Sequence, residues 1–189
     1  IKVNCKNEIN ELYKTKCKKC GKDAYVICTH WDNSTPIKIY YYCYNCKKKL
    51  DKKPDDEDLK LVKKVEKIDI PYWYPTQRLA YNGEDFKEGT HDPNIDSVDK
   101  LFTKRNLISL TIIFNAVSKI KDEKIKQIFL FAFTSMSHLA SKMTPVRPTR
   151  PMSSFWDMHR YWIPPIFMES NVWHLFDSAV YGTQGIIEG

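Results

Sequence analysis

No stretch of eighteen or more apolar residues occurs in the 189-residue chain, so no segment has the length of a membrane-spanning helix. The opening residues, Ile1-Lys2-Val3-Asn4-Cys5, lack the apolar h-region of a signal peptide. No internal repeat is present. No arrangement of nucleophile, base and acid stands out either. His30, His91, His138, His159 and His174 are scattered, and His138 falls in an apolar helical run, where a satisfied core histidine is the simpler reading. Asp92 and Asp96 flank a turn and read as caps, not as an acid–base pair. The chain does not begin with Met and stops just after Gly185-Ile186-Ile187, so we read it as a piece excised from a longer protein. These absences predict a cytoplasmic setting with no membrane partner.

What is present is a substantial core and a surplus of cations. Hydrophobic residues make up 42% and aromatic residues 13% of the chain, which suits one ordinary domain or a small module joined to a larger one. The formal charge of +7 favours a polyanionic partner, with a lysine-rich solvated surface as the plainer alternative.

Six cysteines would suit three disulfides in a secreted chain, but their spacing argues for metal. Cys17-Lys18-Lys19-Cys20 and Cys43-Tyr44-Asn45-Cys46 form two CxxC pairs separated by 22 residues. A two-residue gap lets both thiolates of a pair reach one ion, and the residue after the pair turns the chain back. Gly21 suits that turn because it tolerates positive φ, whereas Lys47 holds the equivalent place in the second pair. Two such knuckles satisfy a tetrahedral Zn²⁺ and leave no coordination position for water, so the metal is structural and not catalytic. Lys18, Lys19, Lys22, Lys47 and Lys48 offset the negative charge of a Cys₄–zinc centre. Cys5 and Cys28 are left over. Cys28, in the apolar run Ala24–Cys28, reads as a small buried hydrophobe, and His30 is an alternative ligand.

The predicted fold class is α+β: a small β zinc ribbon followed by a mainly helical domain, with domains at 1–53 and 54–189. Residues 1–16 read as a helix entering the ribbon, with Ile9, Leu12 and Tyr13 on one face. Strand-like runs follow at Ala24–Thr29 and Ile37–Tyr42, joined by a turn at Asp32-Asn33-Ser34 before Pro36. Lys47–Lys53 reads as a solvated basic run. Pro54-Asp55-Asp56-Glu57-Asp58 signals a helix start, continued by Leu59, Val62 and Val65 and ended before Pro71–Pro75. Residues 76–94 are turn-rich and read as a long ordered loop. Helices are predicted at Asn106–Ile120 and, capped by Asp122, on to about Met143. The second is apolar nearly all round at Ile128–Phe133, so burial on more than one side is expected. Pro145, Pro148 and Pro151 interrupt the pattern, Pro164-Pro165 marks another boundary, and Ser170–Val180 reads as helical.

The order of several segments resembles a known family. Leu101-Phe102-Thr103-Lys104-Arg105-Asn106-Leu107 opens a helical pair and Ala140-Ser141-Lys142-Met143 closes it. Met158-His159-Arg160-Tyr161-Trp162-Ile163-Pro164-Pro165 follows. Behind a CxxC…CxxC ribbon and Ile70–Pro75, this succession resembles the prokaryotic adenine-specific DNA methyltransferases that contain a zinc ribbon, over most of the chain. The resemblance implies the central, target-recognition-like region between a cofactor-binding half and a catalytic half. It also implies DNA and the flanking catalytic regions of the parent chain as partners, and S-adenosylmethionine as cofactor of the parent only. The Phe-x-Gly-x-Gly cofactor turn is missing from this sequence, which holds only six glycines. The catalytic tetrapeptide of the family is Asp/Asn/Ser-Pro-Pro-aromatic, and the nearest text is Ile163-Pro164-Pro165-Ile166. Ile163 cannot accept hydrogen bonds from an amino group and Ile166 cannot stack on a flipped base, so no methyl transfer is expected from this chain alone.

DNA contacts need cations for phosphates and arginine, amides or aromatics for bases. The first set is Arg147, Arg150, His159 and Arg160 with Trp156 and Tyr161 interleaved, in a stretch that prolines hold extended. The alternative is that Trp156, Tyr161 and Trp162 belong to the core and the arginines are merely exposed. Lys104, Arg105 and Gln77-Arg78 form a second set, and the lysines around the knuckles a third. A ribbon serves equally as a nucleic-acid contact or as a staple on its own protein, and a zinc-stabilised protein–protein interaction module without DNA affinity is the competing function.

Overall fold

A computed structural model of the chain describes residues 2–79, 95–148, 152–153, 162–183 and 185–187. The chain is α+β. A helix, α1 (Lys2–Leu12), leads into β1 (Lys14–Lys16), β2 (Asp23–Asp32), β3 (Thr35–Cys43) and β4 (Lys48–Lys52). Helices α2 (Asp56–Glu66), α3 (Lys104–Ser118) and α4 (Glu123–Ser137) follow, with short 3₁₀ turns at Val98–Leu101 and His138–Ala140. The chain then returns to the sheet as β5 (Ile166–Ser170) before a last helix, α5 (Val172–Tyr181). The entering helix is therefore shorter than expected, and α4 ends at Ser137, short of Met143. No helix among the described residues is long and apolar enough to cross a membrane.

All pairings in the five-stranded sheet are antiparallel. β2 and β3 form a hairpin across Asn33-Ser34, with Asp32 opposite Thr35 and Asn33 at φ +50°. Asn tolerates that left-handed conformation better than most residues. One edge of β2 is shared: β1 takes Asp23–Tyr25 and β5 takes Cys28–Asp32. The strand pattern of the sequence does not announce β5. Pro165 accepts a hydrogen bond from the Asn33 N–H (2.7 Å) and so anchors the start of that strand beside the hairpin turn.

Because β5 comes from the far end of the chain, residues on both sides of the expected 53/54 boundary share a core. Ile9, Tyr13, Val26 and Ile39 pack in one apolar cluster with Ile113, Met136 and Trp173. The helix starts follow local chemistry. Asp55 accepts from the Glu57 and Asp58 N–H groups while Asp58 accepts from the Asp55 N–H, a reciprocal cap. Asp122 caps α4 through the Ile125 N–H, Thr103 caps α3 and Asn171 caps α5.

Two expectations are corrected, for Lys52 and Arg105. Lys52, placed in a solvated run, is only 8% exposed and pairs with Asp55 (2.5 Å) and the buried Asp58 (2.8 Å), tying β4 to α2. Thr15 of β1 donates to the same Asp58 (2.6 Å). α4 packs on two sides as expected, Phe133 against Phe114 of α3 and Phe129 against Phe176 of α5, while Ile125, Ile128 and Phe131 face outward, Phe131 at 67% exposure. Arg105, proposed for DNA, is 8% exposed and paired with Glu169. Position 105 lies on the inward face of α3 with Ile108, Ser109 and Ile112, so its side chain runs into the core.

Around that pair a buried polar network joins three parts of the chain. Arg105 donates to Glu169 and to Thr29 (3.1 Å), and its guanidinium lies 4.6 Å from the centre of the Tyr13 ring. Trp31 (2.8 Å) and Thr103 (2.5 Å) donate to the two Glu169 oxygens. The Tyr13 hydroxyl donates to Asn106 (2.5 Å), whose amide donates to the carbonyls of Ala140 and Ser170. Burial, reinforced by Glu169, raises the Tyr13 pKa, so the phenol stays protonated and remains a donor.

Removing one partner of such a pair leaves a buried charge uncompensated. Glu169→Gln should therefore lower the unfolding free energy by about 3–5 kcal/mol in chemical denaturation. Arg105→Met with Glu169→Leu should recover most of the loss. A single variant as stable as the parent would contradict the assignment.

Candidate metal centre and surrounding cations

The two CxxC turns hang from the ends of the β2–β3 hairpin. In the first, the Gly21 N–H donates to the Cys17 carbonyl (2.8 Å), the Cys17 N–H donates to the Lys22 carbonyl (2.9 Å), and Gly21 sits at φ +68°. In the second, Lys47 adopts φ +51°, so the same backbone turn forms without glycine. Each turn aims a backbone N–H at its first sulfur: Lys19 to Cys17 and Cys46 to Cys43, both at 3.4 Å.

The four Sγ atoms of Cys17, Cys20, Cys43 and Cys46 all lie within 4.8 Å of one another. Cys17–Cys46 is 3.9 Å and Cys20–Cys43 is 3.6 Å. A tetrahedron with zinc–sulfur bonds near 2.3 Å places its sulfurs about 3.8 Å apart, between those two values. Both distances are far beyond the ~2.05 Å of a disulfide. The donor set therefore fits a closed, structural Zn²⁺ site. Cys17 and Cys43 are buried, while Cys20 and Cys46 are partly exposed.

The electrostatics of the cluster also favour a cation. Burial opposes ionisation of Cys17, but the Lys19 and Cys20 N–H groups and the Tyr41 hydroxyl (3.8 Å) prevail and hold its thiol below the usual range. The Cys46 thiol is pushed up, first by its hydrogen bond with Cys20 and then by burial. Four adjacent thiols cannot all ionise unaided, and a divalent cation removes the conflict.

No protein-family model, curated protein or solved structure matches the chain. Assignment of the remaining residues therefore rests on position and chemistry.

Cys5, Cys28 and His30 lie outside the four-sulfur cluster. Burial and the Glu169 charge push the Cys28 thiol up to about 11, and His30 packs against Tyr40 at 4.9 Å between ring centres. Of the residues proposed for DNA, Arg150, Trp156, His159, Arg160 and Tyr161 lie outside the described residues. Arg78 is exposed and bridges to Ser97, and Arg147 is exposed just after the bridge between Pro145 and Phe167. Lys104 is half-buried and shares with Lys142 a cleft of about 380 Å³, with Trp31 and Phe167 in its wall and the Arg105–Glu169 pair at its lining.

Glu169 becomes readable only once β5 is placed as a strand. In Ile166-Phe167-Met168-Glu169-Ser170, strand alternation puts Phe167 and Glu169 on one face, and an acid beside an inward Phe needs a buried cation.

Purified protein should carry one zinc per chain by elemental analysis, and Cys43→Ser should lose it together with amide protection over residues 17–46, while Cys5→Ser keeps both. Stoichiometric zinc in Cys43→Ser would contradict the ligand set. At Gly21 nothing lies within 4 Å of an added Cβ, so Gly21→Ala should cost only backbone strain, about 1–2 kcal/mol by denaturation, with zinc retained.

Proposed function

We propose that this chain is the DNA-recognition and scaffold portion of an S-adenosylmethionine-dependent adenine-N6 DNA methyltransferase, built around a zinc ribbon and catalytically silent by itself. The observation that carries the reading is the closed Cys₄ arrangement inside a basic α+β chain whose segment order resembles that family. Cys17, Cys20, Cys43 and Cys46 would hold Zn²⁺, and four thiolates leave the ion no position for substrate or water. The metal would then cross-link the two turns at the open end of the β2–β3 hairpin. S-adenosylmethionine would belong to the parent's cofactor-binding half, since this sequence offers no Phe-x-Gly-x-Gly turn for it.

Contacts to duplex DNA would come from the exposed Arg78 and Arg147 and the half-buried Lys104, with Arg150, His159 and Arg160 as sequence-based members of the same set. Arg105 is not among them, because Glu169 holds it inside the core.

A specific observation favours a second reading, a zinc-stabilised protein–protein interaction module. Ile125, Ile128 and Phe131 leave an apolar stripe on α4 that duplex DNA would not use. Salt dependence separates the two. With duplex DNA, affinity should fall steeply with added salt, with a slope of about −0.9 per phosphate contact, and Arg147→Gln should make that slope shallower by about one unit. No duplex binding even at low salt would favour the interaction module.

A further inference from the structure

The sheet has two faces, and among the described residues only one packs into the core. Val26, Thr29, Trp31, Ile39 and Tyr41 point inward. On the opposite face, strand register aligns Tyr25 with Tyr42 and Lys49, and Cys28 with Tyr40 and Asp51. His30 lies opposite Lys38. Residues opposite one another in register share a face, so these side chains form one outward layer.

That layer is rich in aromatic rings, and the rings touch. Tyr44 meets Tyr42 at 4.9 Å and Tyr25 at 6.1 Å between ring centres, edge-on in both cases. Further along, His30 meets Tyr40 at 4.9 Å. Tyr40 and Tyr42 are two residues apart on β3, so the two aromatic groups are spaced by about 7 Å along the strand. Tyr44 is 61% exposed, and Tyr25, Tyr40 and Tyr42 are partly exposed.

Cations are interleaved with the rings. The Lys38 ammonium lies 4.8 Å from the centre of the Tyr40 ring, Lys49 is the register neighbour of Tyr42, and Lys47 is exposed in the turn that carries Tyr44. Asp51 on this face is 3.5 Å from Lys38, and Asp23, two residues before Tyr25, is 3.1 Å from Lys14 and 2.6 Å from Lys16, so the exposed Lys47 and Lys49 keep the layer positive.

We propose that this outer sheet face is a binding platform for single-stranded DNA. Rings supply π-faces for unstacked bases and lysines meet the phosphates. A duplex keeps its bases in its own stack and cannot use the rings, which separates this face from duplex contacts elsewhere on the chain. The choice of DNA rests on the proposed function; the preference for a single strand rests on the aromatic layer.

The test is fluorescence anisotropy with the zinc-loaded full chain and three labelled probes of about 12 nucleotides: oligothymidylate, a DNA duplex, and oligouridylate. The platform predicts tighter binding of oligothymidylate than of duplex at equal salt. Tyr44→Ala should weaken oligothymidylate binding on the order of tenfold, with Tyr44→Phe near the parent and zinc content unchanged in both. Lys49→Gln should make the single-strand salt slope shallower by about 0.7. Tyr44→Ala binding like the parent, or binding of oligouridylate alone, would overturn the proposal. Duplex bound without the single strand overturns the platform and leaves the proposed function standing. Single strand bound without duplex supports the platform and removes the duplex contacts proposed above. Binding of neither overturns both.

Discussion

Glu169 is a carboxylate with almost no access to water, and the arrangement of the chain is organised around keeping it satisfied. Arg105 neutralises it from α3, Trp31 donates to it from β2, and Thr103 donates to it from the residue that caps α3. With Glu169 itself, these groups come from three separated stretches of sequence. Their convergence fixes where β5 sits against β2 and how α3 enters the core. A buried ion pair adds little net stability compared with apolar residues of the same shape, because both ions lose their hydration. Its value lies in discrimination: a slip of β5 by one residue would turn Glu169 to the outer face and leave Arg105 buried and alone. The pair therefore selects one register among several that apolar packing would tolerate.

The metal centre and this pair act at opposite ends of the same hairpin. The Cys₄ cluster gathers the open ends of β2 and β3 beside the first strand, while Glu169 and Trp31 secure the turn end. Between them, Tyr13 and Asn171 carry hydrogen bonds from the sheet side to the helices. Tyr13 donates to Asn106, and Asn171 donates to the Val26 carbonyl while capping α5. The hairpin is thus held at both ends and along its inner face. Its outer face, with tyrosines and lysines, is free of that duty.

Features set by neighbours in sequence are legible without the structure. The CxxC spacing locates four clustered sulfurs, and Asp55 and Asp122 mark helix starts, because caps and knuckles depend on residues two to four apart. The β2–β3 hairpin is readable from alternation and its turn. What escapes the sequence depends on distant partners. β5 is five residues long and follows two prolines, so it carries little periodic signal of its own. Arg105 reads as a surface cation until Glu169 is placed beside it, although its position four residues before Ser109 and seven before Ile112 already sets it on the inward face. The apolar surround of α4 suggests burial, but apolar composition does not say which residues find a partner, and Phe131 does not find one within the described fold.

The shared edge of β2 also sets an order of events during synthesis. Trp31 leaves the ribosome 138 residues ahead of Glu169. At roughly 5–20 residues per second, the hairpin waits on the order of ten seconds for the strand that completes its edge. During that interval the Arg105 guanidinium has emerged without its carboxylate, and the Cys28–Asp32 edge has no β5 to pair with. The cysteines, by contrast, are all present once residue 46 has emerged. A metal held by the four clustered thiols would cross-link the nascent hairpin at that stage and hold an unfinished sheet edge in shape until its last strand arrives.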